Sequence, residues 1–198
     1  KKYGFQRFGF HGISHQYASR IAGSKRVISC HLGGGSSITA IKNGQAIDTS
    51  MGFTPMEGLT MMSRCGDLDP GIVLELARTL SPEKAAEILN YESGLKGICG
   101  LSDMKEILKK VDEGDKRAIL ALKVFVYRIQ KYIGAYYAIL GGCDTLVFTG
   151  AIGAGSLKIR QLICRGLNIL NKPDKVKILT IKADEEFAIA KELKKYGF

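Results

Sequence analysis

Five short segments of this 198-residue chain carry residue types and spacings suited to handling phosphate, carboxylate or a divalent cation. Phe10-His11-Gly12-Ile13-Ser14-His15 sets two histidines four residues apart, on one face if a helix forms there. That is half of a metal site, but no third ligand follows. One imidazole hydrogen-bonding a transferring phosphoryl group is better motivated, with a structural histidine as the alternative. His31-Leu32-Gly33-Gly34-Gly35-Ser36-Ser37 has glycines that let backbone amides approach an anion, and hydroxyls that can hold its oxygens. A flexible hairpin turn is the plain alternative. Gly150 to Ser156 has the spacing G-x-x-G-x-G, which is neither a dinucleotide fingerprint nor a P-loop. It suits a nucleotide or phosphate at a helix start, or else tight strand–helix packing. Within Ser63 to Pro70, the planar fork of Arg64 matches phosphoryl or carboxylate oxygens, unless it is spent on Asp67 or Asp69. Asp184-Glu185-Glu186 reads locally as first-turn acids of a helix, with a magnesium ligand as the sharper reading.

The elements that must position these segments alternate between strand and helix signals. Arg26 to Leu32 is a β-rich run that stops at three glycines. Ser36 to Ile41 and Gln45 to Thr49 flank Asn43-Gly44, the strongest short hairpin signal. The expectation is three antiparallel strands in succession. Pro70 opens a helical period through Ile72, Val73, Leu76 and Leu80, and Ser81-Pro82-Glu83-Lys84 restarts one. Ser102-Asp103 caps another to about Val111. Asp115 to Leu140 is the longest helix, with an apolar face of Ile119, Leu122, Val126, Ile129, Ile133, Tyr136 and Leu140. It ends at Gly141-Gly142. A buried strand, Thr145 to Thr149, then leads through the second glycine segment to a helix from about Leu157 to Leu170. A strand at Lys177 to Ile181 and a helix from Asp184 close the chain. No linker, repeat or low-complexity tract divides it, so one α/β domain is expected.

Composition narrows the function classes. Hydrophobic residues make up 45% and charged residues 24%, ordinary for a globular protein, and no run is long and apolar enough to span a membrane. Cys30, Cys65, Cys99, Cys143 and Cys164 are odd in number and widely spaced, which suggests reduced, packed thiols of a cytoplasmic protein. The net charge of +10 is spread along the chain without an arginine tract, so anionic small molecules are the expected partners rather than nucleic acid. The chain does not begin with Met, a hint that it is a segment of something longer.

Taken together, these segments resemble the acetate kinase (acetate/propionate kinase) family. Phe8 to His15 is similar to its FGFHGTSH signature, and His31 to Ser37 to its HLGNGAS turn. Asp48 to Leu59 (DTSMGFTPMEGL) is the most specific stretch. Arg64 to Pro70 resembles RSGDIDP, Val126 to Tyr136 the long helix, and Phe148 to Gly153 the family's FTAGIG. The resemblance implies an α/β chain with a mixed sheet and flanking helices, one lobe of the actin-like ATPase fold shared by sugar kinases, heat-shock chaperones and actin. It implies that residues 1–198 form a single carboxy-terminal lobe. By the same resemblance, an amino-terminal lobe that would supply a catalytic aspartate, an arginine and part of the acyl pocket is expected to lie outside these residues.

The implied reaction moves the γ-phosphoryl of ATP to acetate, giving acetyl phosphate and ADP with Mg2+. By resemblance, His11 and Arg64 would stabilise charge on the transferring group, while Phe10 and Pro55 would line the acyl pocket. His31, Leu32, Gly33, Gly34 and Gly35 would cradle phosphates. Asp103, Met104 and Lys105 would surround the adenosine together with Ala151, Ile152, Gly153, Ala154 and Gly155. Glu185 would hold Mg2+. Three departures touch the nucleotide side: Gly34 replaces an Asn, Lys105 an Arg, and Ala154-Gly155 the Glu-Asn of GIGENS. The resemblance also implies a homodimer, and a chain that alone catalyses little. The alternative is a non-catalytic nucleotide-binding or dimerisation module.

Overall fold

A computed structural model describes residues 2–168 and 176–182. The chain forms two compact units, interleaved in sequence. One comprises Lys1–Gly9, Gly34–Ser36 and Ser50–Ile129, and the other Phe10–Gly33, Ser37–Thr49 and the chain from Gln130 onward.

The second unit is built on a five-stranded mixed sheet. Its strands are β1 (Arg26–Leu32), β2 (Ser36–Lys42), β3 (Gln45–Thr49), β4 (Thr145–Thr149) and β5 (Lys177–Thr180), in the order β3-β2-β1-β4-β5. β2 and β3 pair antiparallel through the expected hairpin, with Asn43 at φ 51 and Gly44 at φ 78. Both values are positive, as a two-residue turn matched to strand twist requires. The three-residue link between β1 and β2 is too short for a parallel crossover. β1 pairs parallel with β4 from Val27↔Thr145 to His31↔Thr149, and β4 pairs parallel with β5. β1 and β4 are both buried along nearly their whole length, as parallel neighbours inside a sheet are.

Helix α1 (Gly12–Ala22) packs on β1 and β4, an element for which the strand-dominated reading of the first 50 residues made no place. Its Ala18 and Ala22 join Val27, Ile41 and Val147 in one core, with Leu179 and Ile181 against it. Small side chains let the helix approach the sheet closely. Alternation along β1 turns Val27, Ser29 and His31 toward one face and Ile28, Cys30 and Leu32 toward the other.

The first unit contributes α2 (Pro70–Thr79), α3 (Pro82–Glu87), a π-helical turn at Ile88–Glu92, α4 (Gly94–Cys99) and α5 (Met104–Asp112). The caps at Ser81 and Asp103 are as the sequence implies, and Asp69, read there only as a possible Arg64 partner, is a third. Asp69 accepts from the Gly71 amide, Ser81 from Lys84 and Asp103 from Lys105. Helix α6 (Lys116–Leu140) contributes residues to both units. Its buried positions are Ala118, Ala121, Leu122, Phe125, Ile129, Ile133, Tyr136 and Leu140. Ile119 and Val126, expected on that face, are only half-buried, because the stripe is rotated toward Ala118 and Phe125. Helices α7 (Gly150–Gly155) and α8 (Leu157–Arg165) follow β4 directly. The segment expected to be a glycine loop is thus itself a short helix. The expected closing helix from Asp184 lies outside the described residues.

Candidate functional site

Strand alternation and the pitch of α1 together assemble a cluster of imidazoles and hydroxyls in the second unit. Ser29 and His31, two apart on β1, face α1, where Ser14 and His15 meet them. His15 Nδ1 lies 2.9 Å from Ser29 Oγ, and its Nε2 lies 2.8 Å from Ser37 Oγ. Ser37 Oγ also lies 2.9 Å from His11 Nδ1. Ser14 Oγ joins His31 Nδ1 at 2.9 Å to Thr149 Oγ1 at 3.1 Å, and Thr149 Oγ1 is 3.2 Å from the same nitrogen. The His11 and His31 rings stack, with centroids 4.2 Å apart and planes 18° from parallel.

His11 is not in the helix that carries His15. It is the residue before α1, in the left-handed region at φ 58 and ψ 26, without a side-chain cap bond to the helix. A non-glycine residue held there is uncommon and costs about 1–2 kcal/mol, which the ring's contacts must offset. His15 is 4% exposed and His31 9%. Burial, then the nearby His31 and His11, pushes the His15 imidazole down to about 3, and burial lowers His31 too. His15 is therefore neutral at ordinary pH. Among the described residues no group of three or more histidine, cysteine, aspartate or glutamate side chains could hold a metal ion.

The two glycine segments, far apart in sequence, meet at the carboxyl ends of the parallel strands β1 and β4, the place where open α/β sheets present ligand crevices. Gly150, at φ 78, begins α7 against the end of β1. A Cβ there would collide with the Leu32 carbonyl, and at Gly153 it would touch the Leu32 side chain at 3.4 Å. Gly34, by contrast, has nothing within 4 Å of where a Cβ would be and no positive φ. Its lack of a side chain is thus not demanded by packing. Arg160 donates to the carbonyls of Gly153 (2.9 Å) and Ala154 (2.8 Å), holding the end of α7 although the Glu and Asn of the resembling motif are missing.

Ser36 and Ser37, read as candidate phosphate ligands, are fully buried, and the Ser37 hydroxyl is committed to imidazoles. Phe10 is half-buried and lies in the same unit as His11, while Pro55 is half-buried in the other. The Asp103 carboxylate is taken up capping α5, 2.6 Å from the Lys105 amide. Met104 is buried and Lys105 exposed.

Arg64 belongs to the first unit. Both carboxylates that could have neutralised it are engaged elsewhere. Asp67 pairs with Arg128 at 3.4 Å and accepts from the Gly58 amide, and Asp69 caps α2. The Arg64 guanidinium is instead 3.9 Å from the Met61 thioether. The backbone around it is tied down: Cys65 N donates to Leu89 O, and Ser93 N to Ser63 O. Glu185 lies outside the described residues.

Sequence reasoning singled out His11 and His31 but gave no role to Ser14, Ser29 or Thr149. The signal was present: Ser29 and His31 are polar residues at period 2 in a strand otherwise fit for burial, so each needs a partner on the covering helix.

A sequence profile of the Acetokinase family matches residues 1–195. The chain belongs to the acetokinase family. Acetate kinase from Dictyoglomus turgidum is 49% identical over 97% of this chain. The crystal structure of Porphyromonas gingivalis acetate kinase superposes with a TM-score of 0.91 at 37% identity, covering 98% of this chain and 56% of that one. A ROK family glucokinase from Streptomyces griseus, with a TM-score of 0.51 and 14% identity over 93% of this chain and 66% of its own, shares the fold alone. The mixed sheet with flanking helices is thus that of the actin-like ATPases. The chain spans about half the length of the curated relatives it matches, 55% of the Dictyoglomus protein. No helix among the described residues is long and apolar enough to cross a membrane.

Proposed function

We propose that this chain supplies the carboxy-terminal lobe of an acetate kinase, transferring the γ-phosphoryl of ATP to a short-chain carboxylate. The observation that carries the reading is His11, held in the left-handed region, stacked on His31 and hydrogen-bonded through Ser37. Such strain persists where a ring must be aimed.

In the reaction a carboxylate oxygen bonds to the γ-phosphorus as the bond to the ADP oxygen breaks. Protein groups mainly position the reactants and neutralise charge. His11 donates to an equatorial phosphoryl oxygen, and Arg64, without a carboxylate partner among the described residues, supplies positive charge. The backbone from His31 to Gly35 and the α7 segment Ala151 to Gly155 hold the nucleotide, with Asp103, Met104 and Lys105 on the adenosine side. Phe10 and Pro55 receive the acyl methyl. Mg2+, if bound with the nucleotide, would neutralise phosphate charge. The described residues offer it no ligand set, and Glu185 is its proposed protein contact.

A second lobe completes the site, and the chain pairs with its own copy. A coupled assay with ADP, Mg2+ and acetyl phosphate tests this. The chain alone should form little ATP, and addition of an amino-terminal lobe from a relative should restore turnover. Failure of the folded chain to respond to that lobe would overturn the reading.

A further inference from the structure

The hydrogens in the cluster around His11 can be assigned by matching donors to acceptors. Ser29 Oγ, fully buried, has one partner among the described residues, His15 Nδ1. Ser37 Oγ, equally buried, has two, His15 Nε2 and His11 Nδ1. A hydroxyl has one hydrogen to give, and a neutral imidazole has one N–H. If His15 carried its hydrogen on Nδ1, it would donate to Ser29 and leave the Ser29 hydrogen without an acceptor in the interior, an unfavourable state. If the hydrogen sits on Nε2, Ser29 donates to Nδ1, Nε2–H donates to Ser37, and Ser37 is left to donate to His11 Nδ1. In that arrangement the hydrogens of Ser29, His15 and Ser37 each have an acceptor.

We infer that His15 and Ser37 set the tautomer of His11, through a one-directional run Ser29→His15→Ser37→His11 that makes Nδ1 an acceptor and puts the hydrogen on Nε2. His15 is then a positioning residue, and neutral His11 is a hydrogen-bond donor rather than a proton acceptor. The consequence for catalysis rests on the function proposed above. A carboxylate acceptor is already ionised near neutral pH and has no proton to lose, so its kinase needs a donor to the phosphoryl oxygen and no general base. A hydroxyl acceptor would need the base.

Nitrogen-15 NMR of the full chain with labelled histidines reads the tautomer directly. The His11 ring should show a protonated Nε2 and a bare Nδ1. Ser37→Ala should lose this single pattern in favour of a mixture, and Ser37→Thr, which keeps the hydroxyl, should retain it. Any other wild-type pattern, or an unchanged pattern in a folded Ser37→Ala protein, overturns the inference. The readout is a chemical shift and not turnover. A protein with the expected pattern that gains no turnover when the amino-terminal lobe is added would therefore sink the kinase proposal alone, and one that gains turnover with hydrogen on Nδ1 would sink this inference alone.

Discussion

His11 and His15 stand four residues apart in sequence and do different work. His11, at φ 58, is half-exposed and strained, whereas His15 is interior and unstrained within α1. Asparagine tolerates the left-handed region but has no imidazole. His11→Asn should therefore keep the fold, checked by thermal melting, and lower kcat of the two-lobed enzyme by about 10²–10³-fold. The buried His15 should make the protein acid-labile. Its value falls from 6.5 unfolded to about 3 folded, so its neutral form contributes full stability above pH 6.5. That contribution is lost as pH drops toward 3, because the unfolded state binds the proton first. Going from pH 7 to 5 should cost about 2 kcal/mol in urea unfolding, with His31 adding in the same direction. A flat profile over that range would show that His15 is accessible to protons.

At the scale of elements, the turn from β4 into α7 decides how closely the glycine segment approaches Leu32. Gly150→Ala combines an unfavourable φ with a backbone collision and should destabilise the chain by about 3 kcal/mol in denaturant titration. Gly155→Ala has open space and no positive φ. It should be neutral or stabilising by up to about 0.5 kcal/mol. Equal effects at both positions would mean that the strand–helix turn does not constrain the segment. This region also shows the limit of pattern reading. Gly150 to Gly155 reads as a loop because glycine is a poor helix former, yet tertiary contact with the end of β1 and the Arg160 bonds to Gly153 and Ala154 hold it helical. The hairpin at Asn43-Gly44 and the caps at Ser81 and Asp103 were legible, because their chemistry lies within four residues.

At the scale of the molecule, helix α2 carries an apolar period but buries none of its residues. Ile72 is 48% exposed and Leu74 71%. In the same unit Phe5 and Phe8 cluster on Phe53, with all three rings exposed. Surface of this kind is normally covered by another chain or domain. The isolated chain should therefore sediment as a species larger than a monomer. A strictly monomeric species at micromolar concentration would count against pairing through this chain.

The sequence by itself determined the order of the five strands and of helices α2, α3, α5, α6 and α8, the hairpin, the caps at Ser81 and Asp103 and membership in the acetokinase family, since these depend on local spacing and on long matched motifs. It also pointed to His11, Arg64 and both glycine segments as the places for chemistry. Only the tertiary structure decided that the glycine segments share one end of β1 and β4, and that Asp67 belongs to Arg128 rather than Arg64. It also joined Ser29, His15, Ser37 and His11 in one run of hydrogen bonds. Those pairings link residues from separate elements, and only the packing of α1 and α7 against parallel strands brings them within bonding distance.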